Sequence, residues 1–241
     1  SDDFVSPTMI EHLYDRTVKR KADVSVIKYA TVPEDAVYRE YLSQNFEDKL
    51  TGIFSWNGKA EKFDGHALSE KGIGKALVIG TGGVCGTLWK KSIISDHNIY
   101  FPEHLTYEDN FWSWLMRFYV KRYTYVNEVG YFYRNVGGST VHARNQLHHY
   151  DRIEILHMIF AETKKRGLFS KYYQAIEYNA IMTCFSTYFI FMHKFDHPPR
   201  ELVKRIPKEC LEQFPYWKNN VYYKNNVPKA RRIKYAIIEK M

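Results

Sequence analysis

Cysteine is scarce and unpaired in this chain of 241 residues. Cys85, Cys184 and Cys210 are an odd number with no Cys-x-x-Cys spacing. The pattern suggests neither a disulfide framework nor a zinc site, and it favours a reducing compartment. Long apolar runs are also missing. The most apolar stretch, residues 180–192, is too short to span a bilayer, and no signal-peptide pattern is present, so a cytoplasmic protein is expected. The glycines clustered between Gly80 and Gly86 do not form the Gly-x-Gly-x-x-Gly phosphate fingerprint after a strand and before a helix. They read instead as places where backbone approaches a substrate or another strand.

Aromatic residues are abundant, at 17% with 20 Tyr and 15 Phe, and apolar residues make up 45%. Such a chain can bury one substantial core, or a core and a smaller appendage. The rings suit stacking on sugar faces and suit plain packing equally well. Net charge is +8, but residues 200–241 carry 11 Lys/Arg against 4 Asp/Glu, a net +7, which leaves +1 for the preceding 199 residues. Basicity belongs to the tail, which could touch anionic lipid, nucleic acid or nothing.

Along the chain, Ser6-Pro7 opens a predicted helix to Lys21, with Met9, Ile10, Leu13, Tyr14 and Val18 on one face. Residues 22–29 are β-branched and read as a strand, giving the alternation of a mostly parallel α/β sheet. A short helix is expected through Val37–Leu42, and the remainder to residue 75 reads as turn-rich. Residues 88–94 look helical. Residues 123–126 and 130–134 alternate like two separate strands. Residues 147–166 and 171–194 read as amphipathic helices broken at Gly167–Ser170, followed by a helix over about 200–214 and a basic end at 229–238.

Two acidic pairs stand out. Glu108-Asp109 sits directly before the apolar run Phe111–Tyr119, with Thr106 as a possible cap, and Asp2-Asp3 opens the chain before Phe4-Val5-Ser6-Pro7. Alone, each pair suits the positive end of a helix dipole. Together they could build one metal and acid/base centre.

The order of short segments then carries a resemblance. Asp2-Asp3 with the following Phe-Val-Ser-Pro, Cys85-Gly-Thr-Leu-Trp-Lys-Lys, Phe101-Pro-Glu, Tyr107-Glu-Asp, Val126-Asn-Glu, Tyr131-Phe-Tyr-Arg134 and Gly138-Ser-Thr resemble, in sequence, the second half of the GT-A domain of family 2 glycosyltransferases. The resemblance implies an α/β fold: the acceptor-side half of such a domain over residues 1–145, its nucleotide-binding half absent, and a helical extension with a basic tail over 146–241. It implies an inverting transfer from a nucleotide-sugar donor to a saccharide or lipid-linked acceptor, aided by Mn²⁺ or Mg²⁺, in bacterial surface polysaccharide synthesis. Asp109 would be the base, with Glu108 shaping the acceptor site. Asp2 and Asp3 would hold the metal, facing the same cleft as Asp109.

Arg134 and His142 would contact the donor diphosphate. Trp89 and Trp112 could stack on an acceptor sugar, with core packing as the alternative. No nucleic-acid partner is expected, whereas the basic end could dock at the inner membrane face. Because the chain begins at the acidic motif, the isolated fragment is expected to be inactive. A non-catalytic carbohydrate-binding or membrane-docking module is the second reading.

Overall fold

The computed structural model describes residues 3–36, 52–54, 63–79, 84–137 and 143–240. Its elements run β1 (Phe4–Val5), α1 (Met9–Arg20), β2 (Val24–Pro33), β3 (Gly52–Phe54), α2 (Glu70–Ile79), β4 (Thr87–Trp89), α3 (Lys91–His97), α4 (Glu108–Arg117), β5 (Tyr123–Asn135), α5 (Asp151–Lys165), α6 (Tyr173–Lys194), α7 (Arg200–Leu211), α8 (Val221–Asn226) and α9 (Lys229–Ile238). Short 3-10 turns at Leu147–Tyr150 and Trp217–Asn219 precede α5 and α8. They form two compact units, one of Ser1–Tyr100 with Met116–His142, the other of Phe101–Leu115 with Ala143–Met241.

Among its described residues the first unit forms a mixed five-stranded sheet in the order β1-β5-β2-β3, with β4 also paired to β2. Among the described residues β2 and β5 form a parallel pair, and β1, β3 and β4 add antiparallel. The expected mostly parallel sheet is therefore parallel at its centre alone. β5 is one strand where two were expected. Its register against β2 slips between Ile27 and Tyr29, so that Asn127, Glu128 and Gly130 are accommodated as bulges. Meanwhile Asp64 ties the turn before α2 to this strand, accepting from Thr124 Oγ1 at 2.7 Å, Tyr125 N at 3.0 Å and Arg16 Nη2 at 2.6 Å.

One face of the sheet packs Ile27, Val126 and Tyr131 against Met9 and Leu13 of α1. The other gathers Ala30, Val32, Ala36 and Phe132 with Phe4. Only part of the predicted apolar face of α1 is used, because Ile10, Tyr14 and Val18 are exposed. Gly130 is buried where β5 bends past α1. A Cβ there would lie 3.0 Å from Met9 Cγ and 3.2 Å from Ile27 Cγ1, nearer still to Ile27 Cδ1. Gly130→Ala is thus expected to destabilise by about 1–3 kcal/mol through overpacking. Urea unfolding would read this as a lower midpoint, and an unchanged midpoint would mean that the Ile27 side chain gives way freely.

α2 is not expected from its sequence, because Gly72 and Gly74 are poor helix formers. Buried Ile73, Ala76 and Leu77 hold the helix in spite of them. Residues 88–94 divide between β4 and α3. The helix expected at Val37–Leu42 lies outside the described residues.

The second unit is helical. The break between α5 and α6 falls at Gly167, with φ +67°, a conformation that favours glycine. Phe160, Phe169, Tyr173 and Phe214 cluster edge to face or stacked, with centroids 5.5–6.1 Å apart. Phe185 stacks on Tyr235 of α9. Among the described residues no helix is long and apolar enough to cross a membrane.

Candidate active site

α4 begins at Glu108, so both carboxylates of the pair lie in its first turn, where free backbone N–H groups favour negative charge. Thr106 does not cap the helix by being its neighbour; its backbone N–H donates to Asp151 Oδ2 at 2.8 Å. The residue before the helix is Tyr107, with φ +69°. A bulky L-residue in this region is strained by roughly 1–3 kcal/mol, and surrounding contacts must hold it there. Those contacts are present. The Tyr107 hydroxyl bonds His149 Nδ1 at 2.6 Å, while His149 Nε2 lies 3.1 Å from the Ala143 carbonyl. The pattern fits a neutral imidazole donating from Nε2 and accepting at Nδ1, and burial indeed pulls the His149 pKa down. The Tyr107 carbonyl accepts from Asn110 N at 2.9 Å and from Asn110 Nδ2 at 3.2 Å.

Glu108 is exposed and Asp109 half-buried. Burial pushes the Asp109 carboxyl above its ordinary range, and the neighbouring Glu108 carboxylate pushes it further. The Asn110 backbone N–H and the Arg152 charge oppose this without cancelling it. Asn110 Nδ2 also donates to Asp109 Oδ1 at 3.1 Å. A half-buried carboxylate with raised proton affinity, fixed at a helix start, is suited to accept a proton from a bound hydroxyl.

Arg152, at the start of α5, was not singled out from the sequence. Its guanidinium carbon lies 5.2 Å from the centroid of the Tyr107 ring. Nε donates to Thr187 Oγ1 at 3.2 Å and Nη2 to Ser186 Oγ at 2.9 Å. The signal was hidden inside a run that reads as an ordinary amphipathic helix.

In the first unit, Asp3 is held where β1 meets β5. Its Oδ1 accepts from the Arg134 backbone N–H at 2.9 Å and its Oδ2 from the Tyr131 hydroxyl at 2.5 Å. Burial first, and then the bond to Asp3, drive the Tyr131 pKa upward. The structure thus brings Asp3 and Arg134 together. Arg134 Nη1 donates to the Glu34 carbonyl at 3.3 Å, its guanidinium carbon lies 5.7 Å from the Phe4 ring centroid, and its buried Nε has no hydrogen-bond partner among the described residues. Asp2 and His142 lie outside the described residues.

Among the described residues no group of three or more His, Cys, Asp or Glu side chains is placed to hold a metal. A Mg²⁺-like cation on a diphosphate needs only one or two protein carboxylates, the remainder of its sphere being phosphate and water. Each Asp3 oxygen makes one of these two hydrogen bonds, and a carboxylate oxygen has two lone pairs, so Asp3 fits as one such anchor.

The two tryptophans differ. Trp112 is buried, at 6% exposure, and stacks on the exposed Phe101 with centroids 5.0 Å apart. Trp89 is half-buried at the end of β4, its Nε1 donating to Thr87 Oγ1 at 2.8 Å. Phe101, rather than Trp112, offers the accessible ring on this pair, a distinction the sequence does not carry.

The sequence matches no protein-family model, and no curated protein is similar to it in sequence. Solved structures do resemble it. The crystal structure of residues 1–349 of S. aureus TarS aligns over 99% of this chain and 63% of its own length, with TM-score 0.58 and 15% identity. The same protein in complex with UDP aligns over 100% of this chain and 64% of its own, with TM-score 0.57 and 16% identity. In complex with UDP-GlcNAc the figures are 99% and 64%, with TM-score 0.58 and 14% identity. The chain therefore spans less than two thirds of the structures it resembles. At this identity the likeness concerns the fold alone: a mixed α/β domain followed by a helical C-terminal region.

Proposed function

We propose that this protein is a glycosyltransferase that moves a sugar from a nucleotide-sugar donor to a saccharide or lipid-linked acceptor with inversion, in bacterial surface polysaccharide synthesis. The observation that carries the reading is Asp109 itself, a half-buried carboxylate of raised proton affinity on a braced helix start. The fold likeness to a protein crystallised with UDP and UDP-GlcNAc supports a nucleotide-sugar donor.

Single displacement at the anomeric carbon needs a base to take the proton of the attacking hydroxyl. Asp109 has this role, with exposed Glu108 shaping the acceptor site and Phe101 offering a ring to a sugar face. Arg134, whose backbone N–H anchors Asp3 on β5, is assigned to the donor diphosphate, and His142 to the same group by family resemblance. Asp2 and Asp3 would hold Mn²⁺ or Mg²⁺, which when bound neutralises the leaving diphosphate. Asp3, tied to Arg134 N and Tyr131, would orient this end of the chain. Residues 1–145 form the catalytic portion in this reading, and 146–241 the helical extension. Mixing a form of the protein that carries a nucleotide-binding half with a panel of nucleotide sugars and Mn²⁺, and following acceptor-dependent release of nucleoside diphosphate, tests the assignment.

The tail is assigned to an anionic membrane surface. On α9, Ile233 and Ile237 are 56% and 58% exposed, and Lys229, Arg231 and Lys234 surround them. Each basic residue near anionic lipid is worth ~1 kcal/mol, enough for weak, salt-sensitive docking. Sedimentation with anionic but not neutral vesicles at low salt is expected, and equal behaviour with both would remove the membrane from the account.

A further inference from the structure

Arg152, at the start of α5, is a cation of the second unit with no carboxylate partner among the described residues. It is half-buried, and proteins ordinarily offset the partial loss of water around a guanidinium with a directly paired carboxylate. Its partners here are the Ser186 and Thr187 hydroxyls and the face of Tyr107. Thr187 is fully buried. Burial lowers the Arg152 pKa, and the nearby Tyr107 and Asp109 act against that. A solvated arginine would give the same helix without that cost, so the placement calls for a reason.

The reason lies one residue from the carboxylate. Tyr107 adopts a strained φ of +69° and hands the chain directly to Glu108 and Asp109. Two side chains brace it, His149 through the hydroxyl and Arg152 against the ring. We propose that Arg152 is a positioning residue for Asp109. Clamped by Ser186 and Thr187 and stacked on Tyr107, it fixes the turn that presents the carboxylate and supplies a steady positive field beside it. That Asp109 is a base rests on the proposed function; the brace and the field do not.

The groups that act on this carboxylate are Glu108 and Asn110 of its own turn and Arg152 at the start of α5. Around Tyr107 and Arg152 stand His149 of the 3-10 turn, Asp151 at the start of α5, and the Ser186 and Thr187 hydroxyls of α6. Of these, Glu108 raises the proton affinity of Asp109 and Arg152 lowers it. Removing Arg152 leaves Glu108 unopposed by that charge. Asp109 should then hold its proton to higher pH, while Tyr107 is freed to leave its strained conformation.

Carboxyl ¹³C NMR titration of the chain, with the Asp109 signal assigned by its loss in Asp109→Asn, reads both effects. In Arg152→Gln the Asp109 midpoint is expected to move up. In Arg152→Lys, which keeps the charge but loses the planar fork, it should lie between the two. In the form of the protein that transfers sugar, Arg152→Gln should lower kcat at least ~10-fold with little change in acceptor KM, and shift the acid limb of the rate profile upward. If Arg152→Gln does not fold, the double variant Ser186→Ala/Thr187→Val keeps the charge and loosens the clamp; a disturbed Asp109 titration there supports the proposal equally. An Asp109 midpoint unchanged in every folded variant overturns it. A shifted midpoint in a protein that transfers no sugar leaves the brace standing and removes the proposed function.

Discussion

Asp109→Asn is expected to cut sugar transfer at least ~100-fold and to leave nucleotide binding nearly intact, because the amide keeps the shape of the side chain and cannot take a proton. The effect should depend on pH in a defined direction. Burial and Glu108 raise the proton affinity of the wild-type carboxyl, so its rate should climb with pH through a range above that of ordinary aspartates. The residual rate of the variant should lack that limb. Stability should move the opposite way. A carboxyl whose folded pKa lies above its unfolded value favours the folded state below the unfolded pKa, and this advantage is lost as pH rises through the folded pKa. At neutral pH the Asn variant should therefore melt higher than wild type, with the difference shrinking in acid. Normal transfer by Asp109→Asn would assign the base to another residue.

Trp112→Ala should be the most destabilising single change near the site. The ring is 6% exposed, stacked almost parallel on Phe101 at 5.0 Å, and sits one turn into the helix that carries Asp109. Truncating a buried tryptophan costs about 3–5 kcal/mol in lost burial and a residual cavity, a large part of the ~5–15 kcal/mol that holds a domain. Urea unfolding should show a much lower midpoint, with loss of activity following the loss of structure. A change under ~1 kcal/mol, with activity lost in the folded protein, would instead make Trp112 a ligand-facing ring.

Some of this was legible in the sequence, for definable reasons. The apolar run after Glu108-Asp109 has helical period and acidic first-turn residues, and α4 begins at Glu108. The β-branched residues of β2 likewise announce a strand. What failed to show depends on partners distant in sequence. Whether Ile10, Tyr14 and Val18 are covered is decided by what lies over α1, and periodicity alone puts them with Met9 and Leu13. Gly72 and Gly74 argue locally against α2, and burial of Ile73 and Leu77 overrides them. The bulges that join residues 123–126 and 130–134 into one strand exist only in register with β2. Arg152 is the sharpest case. Its meaning lies in Tyr107, 45 positions earlier, and in hydroxyls more than 30 positions later.

The central claim is a single-displacement sugar transfer from a nucleotide donor with Asp109 as base. It is tested most directly by the product. Incubated with a nucleotide-sugar panel, Mn²⁺ and saccharide or lipid-linked acceptors, a form of the protein that carries a nucleotide-binding half should yield acceptor heavier by one sugar, whereas the 241 residues alone should yield none. NMR should show the anomeric configuration inverted relative to the donor, and metal chelation or Asp109→Asn should abolish the product. Transfer with retained configuration, or transfer undiminished in Asp109→Asn, would contradict the account.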